Sequence, residues 1–332
     1  MTRVEMPRGA SCRPWQSFMK PRISLVICTY NRADILPRCL AAAYRQTLPP
    51  SDYQVVVVDN ASTDHTRHIV RQFTAPRGLD VQYIYHPVKG LSHARNAGAA
   101  AAAAPLLAYI DDDAIAAPDL LWHLLCTFDA HPRAACVGGR IDITLPAELP
   151  KWYSSFFDGY YSKFDLGTTQ VTQSKEIWQY PFGANIAFRA GPLCGIGGFN
   201  TTMGRIGKDY SGGEEIDAVI RLAGLGYEVF YNPAASVRHV ILPSRIHWAH
   251  IAKSAHAAGK NWAYYEMELL PGRRALKGDV MALLATIRQL AGGLWDSPRV
   301  NLPIAYSRHL FIRSKLIRKL EYVLRTNTKG HA

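Results

Sequence analysis

The sequence predicts an α/β protein in which helices cover both faces of a mostly parallel, Rossmann-like β-sheet. Two observations support this fold class. Short apolar segments rich in β-branched residues alternate with helical patterns, and continuous apolar strands are typical of a parallel sheet that is buried on both faces. Polar side chains directly follow several of these strands, at the sheet edge where ligands bind in doubly wound folds.

The predicted elements alternate regularly in the first part of the chain. Strands are expected at 22–30, 53–60, 81–86, 106–111 and 134–142, and helices at 33–46, 64–73, 91–104 and 118–130. Beyond residue 145 we expect a strand-like segment at 176–190, a helix at 214–225, strands at 227–231 and 236–242, and helices at 244–268, 275–293 and 304–326. The chain therefore divides into a basic N-terminal extension (1–21), a core domain (22–242) with halves meeting near residue 145, and a helical, basic C-terminal extension (243–332).

The composition is that of a globular protein with an uneven charge distribution. A chain of 332 residues, 48% of them hydrophobic, can bury a full core. The net charge is +12, but residues 271–332 hold twelve Lys/Arg against three Asp/Glu, and residues 1–22 hold five against one. The core domain is therefore close to neutral, which argues against a nucleic-acid-binding core.

The cysteines and the apolar runs of the sequence indicate the cellular compartment of the protein. The six cysteines form no CxxC pair, and the N-terminus has no apolar stretch typical of a secretory signal. The longest apolar run is too short for a transmembrane helix and is interrupted by Pro105. We therefore expect a cytoplasmic protein in a reducing environment.

Three consecutive carboxylates, Asp111, Asp112 and Asp113, follow the fourth predicted strand. Like charges at this spacing repel, so they are either solvated in a turn or compensated by a cation. The first two strands end in "CTYNR" (28–32) and "VDNASTD" (58–64), which brings hydroxyl, amide and carboxylate groups to the same edge of the sheet. An acidic turn is the simpler alternative, but the gathering of polar strand ends favours a ligand site.

Taken together, the motifs of the core domain resemble those of the family 2 glycosyltransferases, which are inverting enzymes of the GT-A fold. The resemblance covers about residues 22 to 242 in the order of the family, and as a set the motifs are highly specific. It implies transfer of a sugar from a nucleoside-diphosphate sugar to a hydroxyl of a saccharide or lipid-linked saccharide, in surface polysaccharide or glycolipid assembly. The matching segments are "ISLVICTYNRADILPRCLAAAYRQT", "VVVVDNASTDHT", "LSHARNAGA", "AYIDDDA", "FGANIAFRA…GGFN" and "GGEEIDAVIRLAGLGYEV".

The resemblance also implies residues that bind the donor. The ends of the first two strands would hold the base and ribose, Arg95 would face the diphosphate and ribose, and Asp111 would face the ribose with Asp112 beside it. A carboxylate suits the N–H of uracil or thymine, which favours UDP or dTDP. Turn formation and helix capping are the alternative for the two acids of the second strand end. The residues mapped at the strand ends are Thr29, Asn31, Arg32, Asp59 and Asp64.

A divalent metal is implied by the same correspondence. Asp113 would ligate it, and His239, at the end of the last core strand, would join it; a structural histidine is the alternative. Mg²⁺ and Mn²⁺ both accept carboxylate oxygen, and an imidazole ligand favours Mn²⁺. Asp112 would support this site or be solvated.

The general base is implied to come from an acidic pair at a helix start. Here the pair is Glu214-Glu215, and we assign Glu215 as base and Glu214 as its support, although the family commonly has Asp at the second position. Acids also favour a first helical turn through the helix dipole, which is the alternative. By the same resemblance, the segment "FGANIAFRA" would line the acceptor side, where Asn185 would hydrogen bond a sugar. Trp178 is a second acceptor-binding candidate, since an aromatic ring suits the C–H face of a sugar, and packing in the core is the alternative.

The basic C-terminal segment 308–326 has a helical apolar stripe, Ile312, Leu316, Leu320 and Val323, surrounded by Arg and Lys. This pattern suits an anionic membrane surface at the inner leaflet, and a helix packed on the core domain is the alternative. Two other functions remain open: a metal-dependent nucleotidyltransferase, for which a phosphate-binding Gly-rich loop is missing after the first strand, and a non-catalytic sugar- or nucleotide-binding protein.

Overall fold

The computed structural model describes residues 21–167, 171–206, 210, 212–270, 276–295 and 302–329. Nearly all of the expected N-terminal extension (1–21) lies outside these residues. Within them, the expected α/β class is confirmed: a core built on a mixed sheet with helices is followed by a helical C-terminal region. The division into three regions remains a prediction.

The core contains nine strands and six α-helices among the described residues. The strands are β1 (Ile23–Thr29), β2 (Tyr53–Asp59), β3 (Asp80–Tyr85), β4 (Leu106–Asp111), β5 (Ala114–Ala116), β6 (Ala134–Thr144), β7 (Thr172–Gln173), β8 (Asn185–Arg189) and β9 (Glu228–Val240). The helices are α1 (Leu36–Ala43), α2 (Thr66–Gln72), α3 (Leu91–Ala101), α4 (Leu120–Ala130), α5 (Ala190–Gly195) and α6 (Glu214–Gly224). Short 3₁₀ turns lie at Ser155–Tyr161, Ile177–Gln179 and Pro243–Arg245.

The sheet has the order β3-β2-β1-β4-β8-β6-β9-β5, with β7 paired to β9. β1 runs parallel to β2 and β4, and β2 runs parallel to β3. Every residue of β2 is buried, as expected for a strand covered on both faces. β8 enters antiparallel between β4 and β6, so the parallel order ends beside β4. The carboxyl ends of β1 and β4 therefore lie at a point where the sheet changes character, which is where ligands bind in such sheets.

Several expected boundaries differ from the structure, and the strand-like segment expected at 176–190 contains a 3₁₀ turn before the shorter strand β8. The strands expected at 227–231 and 236–242 are one long strand, β9, which stays paired with β6 through a register shift after Gly139. A side chain on Gly139 would collide with the carbonyl oxygen of Ala235, so glycine permits this close approach. The continuous β9 carries the chain back to the edge of the sheet beside β5.

The C-terminal region consists of α7 (Trp248–Tyr264), a π-helical turn (Tyr265–Leu269), α8 (Leu276–Trp295) and α9 (Leu302–Lys329). α7 packs directly on α9 at Gly259, where a Cβ atom would meet the Ser314 hydroxyl and the Phe311 carbonyl. Lysines of α9 form ion pairs both with Glu266 of the π-helical turn and with Asp279 of α8, described below. None of the described helices is both long and apolar enough to cross a bilayer.

The apolar stripe expected on the last helix lies largely outside its packing face, which disfavours the packed-helix alternative for these four residues. Leu320 is 46% exposed, and Ile312, Leu316 and Val323 are only partly buried. The small side chains among its buried positions allow a closer approach of the neighbouring helices than leucine or isoleucine would, because they need less space between the backbones. The fully or nearly fully buried positions of α9 are Ala305, Ser307, Ser314 and Lys319.

Candidate active site

A cavity of about 870 Å³ opens beyond the carboxyl ends of β1 and β4 and is closed on its other side by α7 and α9. Thr29 and Arg32 line it from the first strand end. Five carboxylates also line it, and they are supplied by two separate parts of the chain: Asp111, Asp112, Asp113, Glu214 and Glu215. The structure thus brings the acidic turn and the acidic helix start of the sequence into one space.

The position of the acidic turn follows from strand pairing. Asp112 and Asp113 connect β4 to β5, and β5 pairs antiparallel with β9 so that Ala114 lies opposite His239. The backbone N–H of Val240 donates to the carbonyl of Asp113 (2.9 Å). This register brings Nε2 of His239 to 2.8 Å from Oδ1 of Asp113. The pairing of two strands distant in sequence therefore builds the Asp–His contact.

The donor set fits a divalent metal. One ligand atom each from Asp111, Asp113 and His239 lie within 4.8 Å of one another. Nδ1 of His239 is hydrogen bonded to the backbone carbonyl of Tyr161 (2.8 Å), which leaves Nε2 facing the carboxylates. Two carboxylate oxygens and one imidazole nitrogen are ligands that Mn²⁺ accepts.

The charges around Asp113 favour its ionised form. Although burial opposes ionisation, the neighbouring His239, Arg245 and Arg32 lower the pKa of Asp113 below its usual range. Arg32 lies 3.2 Å and Arg245 lies 3.4 Å from Oδ2 of Asp113. Burial lowers the pKa of His239, but the Asp113 carboxylate outweighs it and raises the pKa. The carboxylate expected to bind metal is therefore already surrounded by cationic groups.

Asp112 is not solvated, which corrects one of the two expected roles. Asp112 is only 8% exposed, and burial together with the neighbouring Asp113 raises the pKa of its carboxyl to about 7. Arg32 Nε is 3.8 Å away and only partly offsets this effect. Asp112 is therefore the member of the trio whose charge is least compensated.

The second group of carboxylates is arranged around Arg95. Its guanidinium is buried, lies 2.6 Å from Oε1 of Glu214, and is 3.7 Å from both Asp111 and Glu215. Gly183 leaves room for this guanidinium, because a Cβ atom there would collide with it. Arg95 lines the cavity and links Asp111 to the acidic pair, and its expected role toward the diphosphate remains a prediction.

The two glutamates differ in their surroundings. Glu214 is 1% exposed, its Oε2 has no hydrogen-bond partner, and burial with the adjacent Glu215 raises its pKa to about 7. The Glu215 side chain is 13% exposed and accepts a hydrogen bond from the Gly183 N–H (3.2 Å). Gly213, at φ +85°, turns the chain into α6 just before them. Glu215 is therefore the one more accessible from the cavity.

The remaining donor candidates lie at the expected edge but are engaged within the protein. Asp59 is buried and accepts from the Tyr83 hydroxyl (2.6 Å) and the Ser62 N–H (2.8 Å). Asn31 adopts φ +52°, and its side-chain oxygen accepts from the Thr63 N–H (2.8 Å). None of these contacts involves the cavity lining, so their roles toward the donor remain predictions.

Asp64 connects the loops that follow β1 and β2. It accepts hydrogen bonds from the N–H groups of Thr66 (3.0 Å) and Ala33 (3.1 Å). Although burial opposes the effect, these bonds and one from the Thr66 hydroxyl lower the pKa of Asp64. This supports the capping alternative for Asp64.

The two acceptor candidates are placed differently. Trp178 is 64% exposed and lines the cavity, as an acceptor-binding ring should. Asn185 is 1% exposed, and its amide donates to the carbonyls of Ala235 (2.8 Å) and Arg140 (3.1 Å) within the sheet. The Asn185 amide group is therefore engaged within the sheet and Asn185 does not line the cavity, so its role toward the acceptor remains a prediction.

Several cavity residues escaped the sequence reasoning. Lys89 donates to the Tyr30 hydroxyl (2.9 Å) at the mouth of the donor side. Arg245 could have been suspected from its position six residues after His239, but no motif marked it. The C-terminal helices contribute residues that no core motif predicts. The C-terminal lining residues of this kind are Ser254, Ala257, Ala258, Asn261, Trp262, Tyr265 and Phe311.

Sequence comparison connects this site to known enzymes. The sequence model of the family "Glycosyl transferase family 2" matches residues 24–194. The chain is 28% identical over 227 residues to a glucosyl-dolichyl phosphate glucuronosyltransferase of Haloferax volcanii, covering 68% of this chain and 71% of that protein. It is 29% identical over 229 residues to a validoxylamine A glucosyltransferase of Streptomyces hygroscopicus subsp. limoneus, covering 62% of this chain but only 49% of that protein.

Structural comparison identifies the same fold. The mannosyltransferase PcManGT from Pyrobaculum calidifontis, solved in complex with GDP-Man and Mn²⁺, superposes with a TM-score of 0.60 at 22% identity, covering 93% of this chain and 91% of that one. S. aureus TarS 1–349 in complex with UDP-GlcNAc superposes with a TM-score of 0.53 at 14% identity, covering 91% and 92%. At these identities the likeness is one of fold.

Proposed function

The chain belongs to glycosyl transferase family 2, and we propose that it is an inverting, metal-assisted glycosyltransferase. It moves a sugar from a nucleoside-diphosphate sugar, UDP or dTDP being favoured, to a hydroxyl of a saccharide or lipid-linked saccharide. The observation that carries this proposal is the shared cavity: the metal-ligating set Asp111, Asp113 and His239 and the accessible carboxylate of Glu215 line the same space.

The donor end of the cavity suits a diphosphate. Asp113 and His239 would hold Mn²⁺ or Mg²⁺, which would neutralise charge on the departing nucleoside diphosphate. Arg32 and Arg245 already lie beside Asp113, and their positive charge would attract the same phosphates. Thr29 and Asp111, at the ends of β1 and β4, would contact the nucleoside.

Glu215 is the proposed general base. Its Oε1 is fixed by the Gly183 N–H, and Arg95 Nη1 lies 3.7 Å from its Oε2. A carboxylate held in this way can accept the proton of the acceptor hydroxyl while that oxygen attacks the anomeric carbon from the face opposite the leaving group. Glu214, buried against Arg95, positions the guanidinium. Trp178 offers a ring on which the acceptor sugar stacks.

A thermal-shift panel and one isosteric substitution test this proposal. UDP, dTDP and GDP, each with and without Mn²⁺, should raise the melting temperature for one nucleotide class only when the metal is present. Glu215→Gln should then lower transfer from the matching nucleotide sugar by about 10²- to 10⁴-fold, with the nucleotide shift retained. Unchanged transfer would refute the base assignment, and no response to any nucleotide would refute the donor assignment.

We also propose that the C-terminal region (243–332) associates peripherally with an anionic membrane, at the inner face of the cytoplasmic membrane. Exposed apolar side chains on α8 and α9, among them Met281 (58%), Leu284 (46%) and Leu320 (46%), support contact with lipid. The excess of Lys and Arg in this region favours anionic headgroups. Sedimentation with vesicles of anionic but not zwitterionic lipid is expected, and equal sedimentation after deletion of residues 304–332 would contradict the proposal.

A further inference from the structure

The catalytic cavity has two chemically different ends. The wall formed by the core domain carries charged side chains, including Arg32, Arg95 and the five carboxylates. The wall formed by α7 and α9 has no charged lining residue among the described positions: it consists of Ser254, Ala257, Ala258, Asn261, Trp262 and Phe311. A binding site for a purely polar saccharide would need hydrogen-bonding groups along this second wall as well.

Resting on the proposed function, we propose that this uncharged wall is an acceptor subsite for a hydrocarbon chain attached to the acceptor sugar. The transferase would thus act on a lipid-linked acceptor, and the C-terminal helices would bind the first part of its lipid. On α7, the small apolar side chains of Ala257 and Ala258 line the cavity, and the rings of Trp262 and Phe311 line it beside them. Ile177 and Phe182 face the same cavity from the core domain.

The hydrogen-bonding capacity of this wall is already used in part. Nδ2 of Asn261 donates to the Gly212 carbonyl (2.8 Å), and the indole N–H of Trp262 donates to Glu266 (2.8 Å). What Trp262 presents to the cavity is therefore ring surface, which suits methylene groups better than hydroxyl groups.

The wall is connected directly to the catalytic acids. The Tyr265 hydroxyl donates to the Gly213 carbonyl (2.9 Å), immediately before Glu214, and Asn261 binds the carbonyl one residue earlier. A chain lying along α7 would therefore leave its sugar close to the start of α6. This places the accepting hydroxyl on the side of Glu215.

The wall is also held rigid, so that it forms a preformed surface rather than a collapsed gap. Glu266, which accepts from Trp262, is ion-paired with Lys315 of α9 (2.8 Å). Gly259 allows α9 to approach α7 closely enough to bring Phe311 to the cavity. The rings of Trp262 and Phe311 lie 6.4 Å apart at 64°.

Pairs of acceptor probes that differ only in the chain test the inference. Octyl and methyl glycosides of glucose, galactose and mannose are tested as acceptors below the micelle concentration. The donor is the sugar nucleotide of the class found in the nucleotide panel, and the octyl member of each pair is compared with the methyl member. We expect KM to be at least about tenfold lower for the octyl member of the accepted pair, because burial of two methylene groups already gives that factor. Equal KM values for the two members would overturn the inference.

Two substitutions of Ala258 localise the effect. Ala258→Asp introduces a charge into the wall, and Ala258→Leu fills the space in front of it with a larger side chain. Both variants should bring the ratio of the methyl to the octyl KM close to one. The matched control is Ala249→Asp, which is exposed on α7 outside the cavity lining and should keep the full preference. A preference that survives both Ala258 variants would overturn the inference.

The outcome can be separated from that of the proposed function. Metal-dependent nucleotide binding and slow release of nucleotide from the donor in the absence of acceptor report on the donor site alone. If both are present and methyl and octyl glycosides are used equally, the transferase stands and the lipid subsite fails. If neither is present, the proposed function itself fails.

Discussion

The protein contains two buried groups of charges that differ in how well they are compensated. In the helical region, Lys315 and Lys319 meet Glu266 and Asp279, two cations against two anions. Although burial acts in the opposite direction on both, hydrogen bonds with their partners lower the pKa of Asp279 and raise that of Lys319. Asp279 and Lys319 are therefore both stabilised in their charged forms.

The catalytic cavity is arranged in the opposite way. Burial and a neighbouring carboxylate raise the pKa of both Asp112 and Glu214 to about 7. Oε2 of Glu214 is buried without a hydrogen-bond partner. The difference indicates that the ion pairs of the helical group contribute to stability, whereas the cavity holds carboxyl groups that a bound cation would compensate.

Asp113→Asn should give the largest effect, because it removes charge at the point where the cavity is expected to receive metal. We expect transfer to fall by about 10²- to 10³-fold and the Mn²⁺-dependent part of the nucleotide shift to disappear. The measurements are initial transfer rates and melting temperatures with each nucleotide.

Asp112→Asn is the matched comparison, since it removes the neighbouring and least compensated charge. Transfer should stay within about tenfold of the unmodified protein, and the melting temperature near pH 7.5 should be equal or higher because a buried carboxylate next to Asp113 is lost. If Asp112→Asn reduces transfer more than Asp113→Asn does, the two aspartates have been assigned in the wrong register.

Within the helical group, Lys319→Met should give the largest loss of unfolding free energy. It leaves Glu266 and Asp279 with Lys315 as their remaining cation, and breaking a buried pair in this way costs about 3 kcal/mol of unfolding free energy. Arg318→Met is the control, because the Arg318–Glu321 pair is about half exposed (45% and 48%) and exposed pairs contribute less than about 1 kcal/mol. Urea unfolding measures both; equal losses would contradict the contrast.

Much of the core could be predicted from the sequence because its signals are local. The apolar runs of β1, β2 and β4 fix strands that are buried on both faces, and the polar residues that end β1 and β4, such as Thr29 and Asp111, reach the cavity as expected. The acidic turn and the start of α6 were also recognised from adjacent residues. What these motifs could not show was how Arg95 joins them, since its partners are distant in sequence.

The contacts that the sequence did not reveal have a common physical origin in long-range packing. Asn185 looked available to a sugar in its motif, but the register shift between β6 and β9 brings the Ala235 carbonyl onto its amide. The sequence left open whether the apolar stripe of α9 faces lipid or protein, and it gave no sign that α7 contacts α9 through Gly259 and Ser314 instead. A single sequence does not specify such contacts, because each depends on a partner surface formed elsewhere in the chain.

Glu214→Gln tests whether a carboxyl group of the cavity is poorly compensated, and its effect, a change in the pH dependence of stability, is the smallest expected. Because the pKa of Glu214 is raised from 4.5 to about 7, the folded protein keeps a proton that the unfolded chain has released between these values. Stability from this group is therefore present below about pH 4.5 and is lost as the pH rises toward 7, by on the order of 1 kcal/mol or more. Melting temperatures from pH 4.5 to 7.5 should fall less steeply for Glu214→Gln than for the unmodified protein. Parallel curves would mean that the carboxyl of Glu214 titrates normally and that the cavity is as well compensated as the helical group.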